Sequence, residues 1–100
     1  MAVERRYNKR YPVDMRVEYT YRGRRRLLSR AQDISLQGMM LRTESITPPK
    51  GMLVELHLKV GSRYWDIPAV VAHSRPGGMG VMFHEPQPVL CRLATTALAS

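Results

Sequence analysis

Apolar residues follow a two-residue period over most of the chain and a helical period near its C-terminal end. From Val13 to Tyr21 every odd position is apolar or aromatic and every even position is polar. This strict alternation predicts a β-strand with one face in a core. The same pattern recurs from Met52 to Val60, where Glu55, His57 and Lys59 take the polar face. The chain is therefore built mainly from half-buried strands.

Turn-forming residues divide the chain into short segments. Clusters containing glycine or proline occur at 22–24, 47–51, 61–62 and 75–78. We predict six strands, at 13–21, 25–35, 39–43, 52–60, 63–74 and 80–84. Pro68 predicts an edge or a bulge in the fifth strand, since proline cannot donate to a ladder. The connections are short, which favours a small antiparallel barrel or sandwich, and closure into a barrel would remove exposed edges.

The second predicted strand has a poorer alternation than the first. Leu28 and Ile34 share a face with Arg30 and Gln32 if the strand is regular. Such a mixture suggests a strand with an exposed end, or one that lines a polar site.

The two ends of the chain differ from the strands between them. Residues 1–12 are too polar for a core and predict a flexible arm that ends at Pro12, so that residues 13–100 form the folded body. Helical spacing at about 86–98 predicts a C-terminal helix, with Pro86 or Pro88 in its first turn. A helix this short is not stable alone, so it must pack on the barrel or on a partner.

Charge is concentrated in the first third of the chain. The formal net charge is +8, and residues 1–30 hold ten Lys/Arg against three Asp/Glu, whereas residues 31–100 hold six against five. Thirteen of the sixteen cations are arginine, the residue suited to bidentate contacts with phosphates and bases. A solubilising tail with a charged hairpin explains the same bias without a ligand.

Other features exclude several classes of protein. A single cysteine, Cys91, rules out an internal disulfide and a cysteine zinc cluster. No apolar run approaches the ~18 residues of a membrane span, and the N-terminus lacks the apolar core of a signal peptide. The three histidines have no ligand spacing, and no nucleophile stands beside a base, so we expect neither a metal nor an enzyme. A cytoplasmic domain is the expectation.

Candidate chemistry lies in the segment from Asp33 to Gly38. A regular strand places Asp33 and Ser35 on the same face, and Gly38 permits a backbone geometry or a close approach that a Cβ would block. Asp and Ser also cap turns, and a glycine also relieves a bulge. With Arg6 and Arg10 on the arm, the set suits a planar, polar, anionic ligand. Two further arginine pairs with a four-residue spacing lie in the hairpin, Arg22 with Arg26 and Arg26 with Arg30. We interpret them as a solvated charged surface.

Taken in this order, the motifs resemble those of the PilZ domain, a family that binds cyclic di-GMP. The resemblance rests on Arg6-x-x-x-Arg10 followed by Asp33-x-Ser35-x-x-Gly38, and nearly the whole chain follows the family's pattern of strands and loops. It implies a six-stranded antiparallel β-barrel with a C-terminal helix. It also implies that Arg6 and Arg10 hold phosphates and guanine edges, with a further contact from Arg5. Asp33 and Ser35 would bind a guanine, and Gly38 would leave room for the turn.

The resemblance further implies a receptor whose arm becomes ordered over the nucleotide and is then read by another protein. Only Met1 to Glu4 precede the arginines, so we expect the output to go to a separate partner, unless the chain is a fragment of a longer protein. Cyclic di-GMP is the expected ligand, and no cofactor is expected. Two alternatives stay open: a nucleic-acid-binding basic barrel, and an interaction module of the same fold that binds no nucleotide.

Overall fold

In the described part of the chain, six antiparallel strands form a closed barrel that is followed by one helix. The computed structural model describes residues 9–23, 25–44 and 47–99. The strands run in the order β1-β2-β3-β6-β5-β4 around the barrel. The elements are β1 (Tyr11–Tyr21), β2 (Leu27–Ile34), β3 (Gly38–Thr43), β4 (Leu53–Val60), β5 (Arg63–Arg75), β6 (Gly78–Phe83) and α1 (Pro88–Ala99). The predicted mostly-β barrel with a C-terminal helix is confirmed.

The alternation of the sequence places the core inside the barrel. In β1, Val17 and Tyr19 are fully buried, while the other residues of the predicted inward face are partly buried and pack against the same core. Val54, Leu56 and Leu58 of β4 are buried in the same way. Burial of apolar area contributes about 25 cal/mol per Å² removed from water, so these positions are the main source of the barrel's stability.

The first strand begins earlier than its alternation predicts. β1 starts at Tyr11, and Pro12 lies opposite Asp33 on β2, so the boundary placed after residue 12 is two residues too late. Tyr11 and Pro12 belong to the barrel instead of the arm. Residues 1–8 of the predicted arm lie outside the described residues. The sixth strand likewise begins at Gly78, two residues before the predicted position.

A bulge at Gln32 corrects the interpretation of the second strand. Ala31 lies opposite Leu41 and Asp33 lies opposite Met40, so two steps along β2 match one step along β3. The extra residue reverses the phase of the side chains. Leu28 is therefore 46% exposed while Ile34 is fully buried, and these two residues do not share a face.

Pro68 is not at a bulge, and it lies in an interior strand of the barrel at the point where the β6 side of that strand loses its partner. It lies within β5, opposite Glu55, and its carbonyl accepts a hydrogen bond from the backbone N–H of His84, just beyond the end of β6. In an antiparallel strand the nitrogen and carbonyl of a residue face the same side. The proline nitrogen thus points toward the chain beyond the end of β6, where no ladder hydrogen bond requires an N–H donor. The bulge of β5 lies farther along, between Val71 and His73.

The C-terminal helix packs on the barrel, mainly against β1 and β4. It begins at Pro88, and its residues Leu90 and Ala94 are buried in the main core. A proline at the first helical position is favoured because its missing N–H has no partner there anyway. Within the described residues, no helix is long and apolar enough to cross a membrane.

Candidate functional site

Arg10 of the arginine motif meets Asp33 at the open end of the first hairpin. Arg10 lies just before β1 and Asp33 lies near the end of β2; the two are brought together because Pro12 pairs with Asp33 across the antiparallel ladder. The Arg10 Nη1 atom donates a hydrogen bond of 2.8 Å to Asp33 Oδ1. Residues 23 positions apart in the chain thus form one polar surface.

The bulge at Gln32 is what exposes Asp33. Before the bulge, Ser29 and Ala31 point into the core, and a regular strand would place Asp33 in phase with them. An unpaired buried carboxylate is costly, since its charge loses hydration. The extra residue instead turns the Asp33 side chain, 27% exposed, toward Arg10.

Ser35 lies beyond the end of β2 and is buried in the turn that leads to β3. Its hydroxyl donates to the carbonyl of Gly38 at 3.3 Å and accepts from the backbone N–H groups of Gln37 and Gly38 at 3.3 and 3.2 Å. A hydroxyl has one donor and two acceptor sites, and all three face the turn. Ser35 therefore holds the turn in shape beside Asp33.

Gly38 is required by the packing of the barrel itself. Its backbone opposes Met82 of β6, and an ideal Cβ on Gly38 would overlap the carbonyl oxygen of Val81. The close approach predicted for this glycine is thus made by the neighbouring strand. The adjacent turn is fixed by hydrogen bonds from Phe83 N–H to the Gln37 carbonyl and from Ser35 N–H to the Gly38 carbonyl.

The Arg10–Asp33 pair is accessible to a ligand. The Arg10 side chain is half exposed, and an ion pair in such a position is worth about 0–1 kcal/mol because water screens it. A guanidinium carries five N–H donors, of which the contact with Asp33 uses one. Arg5 and Arg6, the other predicted arginines, lie outside the described residues.

Sequence reasoning missed the other ion pairs of the same hairpin. One of them lies nearest the site: Arg30 Nε donates to Asp14 Oδ1 at 2.8 Å, on the solvated charged surface predicted for Arg30. The signal for this contact is the hairpin register, which places Arg16 opposite Arg30 and so brings Asp14 within reach. In the part of the chain that the structure describes, no group of three His, Cys, Asp or Glu residues could hold a metal ion.

The sequence profile of the PilZ domain family matches residues 4–99, which include all six predicted site residues. The chain belongs to the PilZ family. A crystal structure of the PilZ domain of CeSA from a cellulose-synthesizing bacterium superposes on this PilZ domain with a TM-score of 0.68. The two are 14% identical, and the match covers 90% of this chain and 93% of the other. No curated protein matches the chain in sequence.

Membership places the chain in a family of receptor domains for cyclic di-GMP, which are not enzymes. The structural likeness, at its low identity, supports the fold alone.

Proposed function

We propose that this PilZ domain is a receptor for cyclic di-GMP and binds it at the surface where Arg10 meets Asp33. The contact between these two side chains is the observation that carries the proposal, because it joins the arginine motif to the Asp33–Gly38 segment. In this proposal Arg5 and Arg6 supply further contacts to the ligand. No cofactor takes part.

The side chains at this surface match the chemistry of a guanine nucleotide. Arginine donates two parallel hydrogen bonds to the N7 and O6 acceptors of guanine and can stack on the ring. A carboxylate such as Asp33 can accept from the donor groups on the opposite edge of the base. Each good bidentate contact gives about 1–3 kcal/mol of discrimination against the wrong base.

Without a ligand, the Arg10–Asp33 ion pair can be broken at a low cost in free energy. Because the exposed Arg10–Asp33 contact contributes about 0–1 kcal/mol, a ligand that offers a phosphate to Arg10 and a base donor to Asp33 replaces it at little cost. Until then the contact keeps both side chains at the site, so the ligand meets groups that are already close together.

Ser35 and Gly38 act by positioning in this proposal. The Ser35 hydroxyl is engaged by its own turn, so its contribution to guanine binding runs through the placement of Asp33. Gly38 allows β3 to lie close to β6 and thereby holds the same turn against the barrel.

Signalling in this proposal comes from ordering the arm over the bound nucleotide. Fixing each backbone residue costs about 1–2 kcal/mol, so several charge-assisted contacts to the phosphates are needed to offset it. The surface formed by arm and ligand is then recognised by a partner protein in the cytoplasm.

Calorimetric titration of the full chain tests the proposal. Cyclic di-GMP should bind, whereas GTP and cyclic GMP should not, and Arg6→Ala/Arg10→Ala should abolish the heat. The pair Arg22→Ala/Arg26→Ala removes two arginines at the same spacing from the opposite end of the hairpin and should leave the affinity unchanged.

The same experiment can contradict the receptor function. Flat heats with cyclic di-GMP, together with an unperturbed NMR spectrum at high ligand concentration, would leave the chain as an interaction module of this fold. Tight binding of DNA with a steep salt dependence would instead indicate a polyanion-binding barrel, because a two-phosphate ligand releases few counterions.

A further inference from the structure

The barrel is closed along only part of its first strand. Glu18–Tyr21 of β1 pair with Val54–His57 of β4. The earlier part of the strand, Tyr11–Val17, has a ladder partner only in β2 within the described chain. β1 and β4 therefore separate beyond Glu18, and one side of the β1 backbone has no ladder partner in the described chain. The helix α1 packs against both strands, but none of its residues lines the groove on the outer surface, so the edge is open on that side. Such an edge presents N–H and C=O groups to which another strand can add.

A surface groove of about 580 Å³ opens where the two strands separate. Arg16 and Glu18 of β1 form one wall, Leu58 and Lys59 of β4 form the other, and Trp65 of β5 also lines the groove. An added strand lies about 4.8 Å from its neighbour, so it occupies the space directly beside the open edge. The backbone edge and the groove form one continuous feature.

The groove carries an excess of positive charge. Glu18 holds two guanidinium groups together, since it accepts from Arg16 Nη2 at 3.0 Å and from Arg26 Nη1 at 3.3 Å. These hydrogen bonds lower the pKa of Glu18, which keeps the bridging carboxylate charged. Arg16 and Arg26 are 66% and 55% exposed, and each retains free N–H donors. With Lys59 added, cations outnumber Glu18 and Asp66 around the groove.

We propose that this open edge of β1 and the adjoining groove bind an extended, acidic segment of a partner protein as an added β-strand. Main-chain hydrogen bonds supply affinity in this mode of recognition, and side chains at alternate positions supply specificity. Carboxylates on the outer face of the added strand pair with Arg16 and Lys59. A nucleic acid fits less well, because it lacks a peptide backbone that could extend the ladder at the open edge.

This inference does not depend on cyclic di-GMP. Arg10 precedes Arg16 by six residues, which corresponds to about 20 Å along an extended strand. Nucleotide and partner segment thus occupy separate parts of the same hairpin.

The groove contains its own fluorescent reporter, since Trp65 is the single tryptophan of the chain. A short peptide of alternating glutamate and valine, titrated into the full-length protein, should shift the Trp65 emission saturably with a Kd below about 1 mM. A lysine–valine peptide should give no saturable shift. A glutamate–valine peptide with N-methyl groups on alternate amides should also fail, because it cannot complete the ladder.

Matched variants locate the site. Arg16→Ala/Lys59→Ala should weaken the acidic peptide about tenfold, as expected for the loss of two exposed charge contacts. Arg42→Ala/Lys50→Ala removes the same charge from exposed positions elsewhere and should leave binding unchanged. Arg10→Ala should also leave peptide binding unchanged, and Arg16→Ala/Lys59→Ala should retain cyclic di-GMP binding, so this proposal and the receptor proposal fail separately.

Several results would overturn the inference. Absence of a shift, equal binding of the lysine–valine peptide, or undiminished binding of the N-methylated peptide would each exclude an acidic added strand. Tighter binding of oligothymidylate than of the acidic peptide would assign the groove to nucleic acid.

Discussion

Replacing Gly38 by alanine should destabilise the barrel strongly. The new Cβ would lie within 3.0 Å of the Val81 carbonyl oxygen, a separation that real Cβ atoms essentially never show. It would also lie 3.3 Å from the Met82 Cα. Both contacts are to backbone, which cannot rotate aside as a flexible side chain can. β6 must therefore shift away from β3. Overpacking of this kind costs about 1–3 kcal/mol, and a weakened ladder hydrogen bond adds about 0.5–1.5 kcal/mol.

The expected loss of about 2–4 kcal/mol is large for a domain of this size, whose total stability is about 5–15 kcal/mol. It should lower the thermal midpoint by roughly 10 °C or more. Urea unfolding followed by Trp65 fluorescence and circular dichroism measures the change directly. Gly78→Ala is the matched control, since Gly78 lies in the same β3–β6 ladder. The nearest atom to a Cβ added there is 3.4 Å away, which is an ordinary van der Waals contact.

A particular result would refute this reasoning. If Gly38→Ala unfolds at the same urea concentration as Gly78→Ala yet loses cyclic di-GMP, the glycine serves the ligand and not the barrel. If the two variants are equally stable and both bind cyclic di-GMP normally, β3 and β6 can move apart at Gly38 without a loss of stability.

Two further predictions concern titrating groups. Hydrogen bonds from Arg16 and Arg26 lower the pKa of Glu18 below its ordinary value of 4.5, so this carboxylate stabilises the fold fully above pH 4.5 and the stabilisation is lost as the pH falls through the lowered value. Glu18→Gln should therefore be less stable than the natural chain at pH 6, by a margin that shrinks at pH 3; a margin that grows in acid would contradict this. Burial raises the pKa of the Cys91 thiol above its ordinary 9.0, so a disulfide reagent at pH 8 should label the native protein more than about tenfold more slowly than the denatured protein. Equal labelling rates would mean that α1 detaches readily from the barrel.

The strands could be predicted from the sequence wherever one face is apolar and the other polar. β1 and β4 show this alternation, and their inward residues form the core. The turn between β1 and β2 was also predictable, since it contains Gly23, which adopts a positive φ that glycine tolerates. The helix was visible because its apolar residues change period.

The bulges could not be predicted, because they are properties of strand pairing. Nothing in the local sequence shows that Gln32 is left over when β2 pairs with β3. That residue decides the phase of everything after it, including the exposure of Asp33. The early start of β1 was hidden for a similar reason, since the pairing of Pro12 with Asp33 includes residues that look like part of a polar arm.

For the candidate site, the sequence predicted one contact between its residues better than it predicted their structural roles. Asp33 and Arg10 do come together, as the motif suggests. The role of Ser35 depends on the geometry of its turn, where three hydrogen bonds already engage the hydroxyl. The role of Gly38 depends on a strand more than forty residues away in the chain.

The incomplete closure between β1 and β4 also determines where the folded barrel yields first. This seam has the shortest ladder of the six, yet it joins strands that are far apart in the chain, so few hydrogen bonds offset a large loop-closure entropy. The other ladders of the barrel can remain paired while the β1–β4 ladder opens. Amide protons at Glu18–Tyr21 on the β4 side should therefore exchange through local opening at lower free energy than those between β4 and β5, whose ladder extends over the whole of β4. Within the sheet of the described chain, the β1–β4 ladder is therefore where we expect local opening to begin.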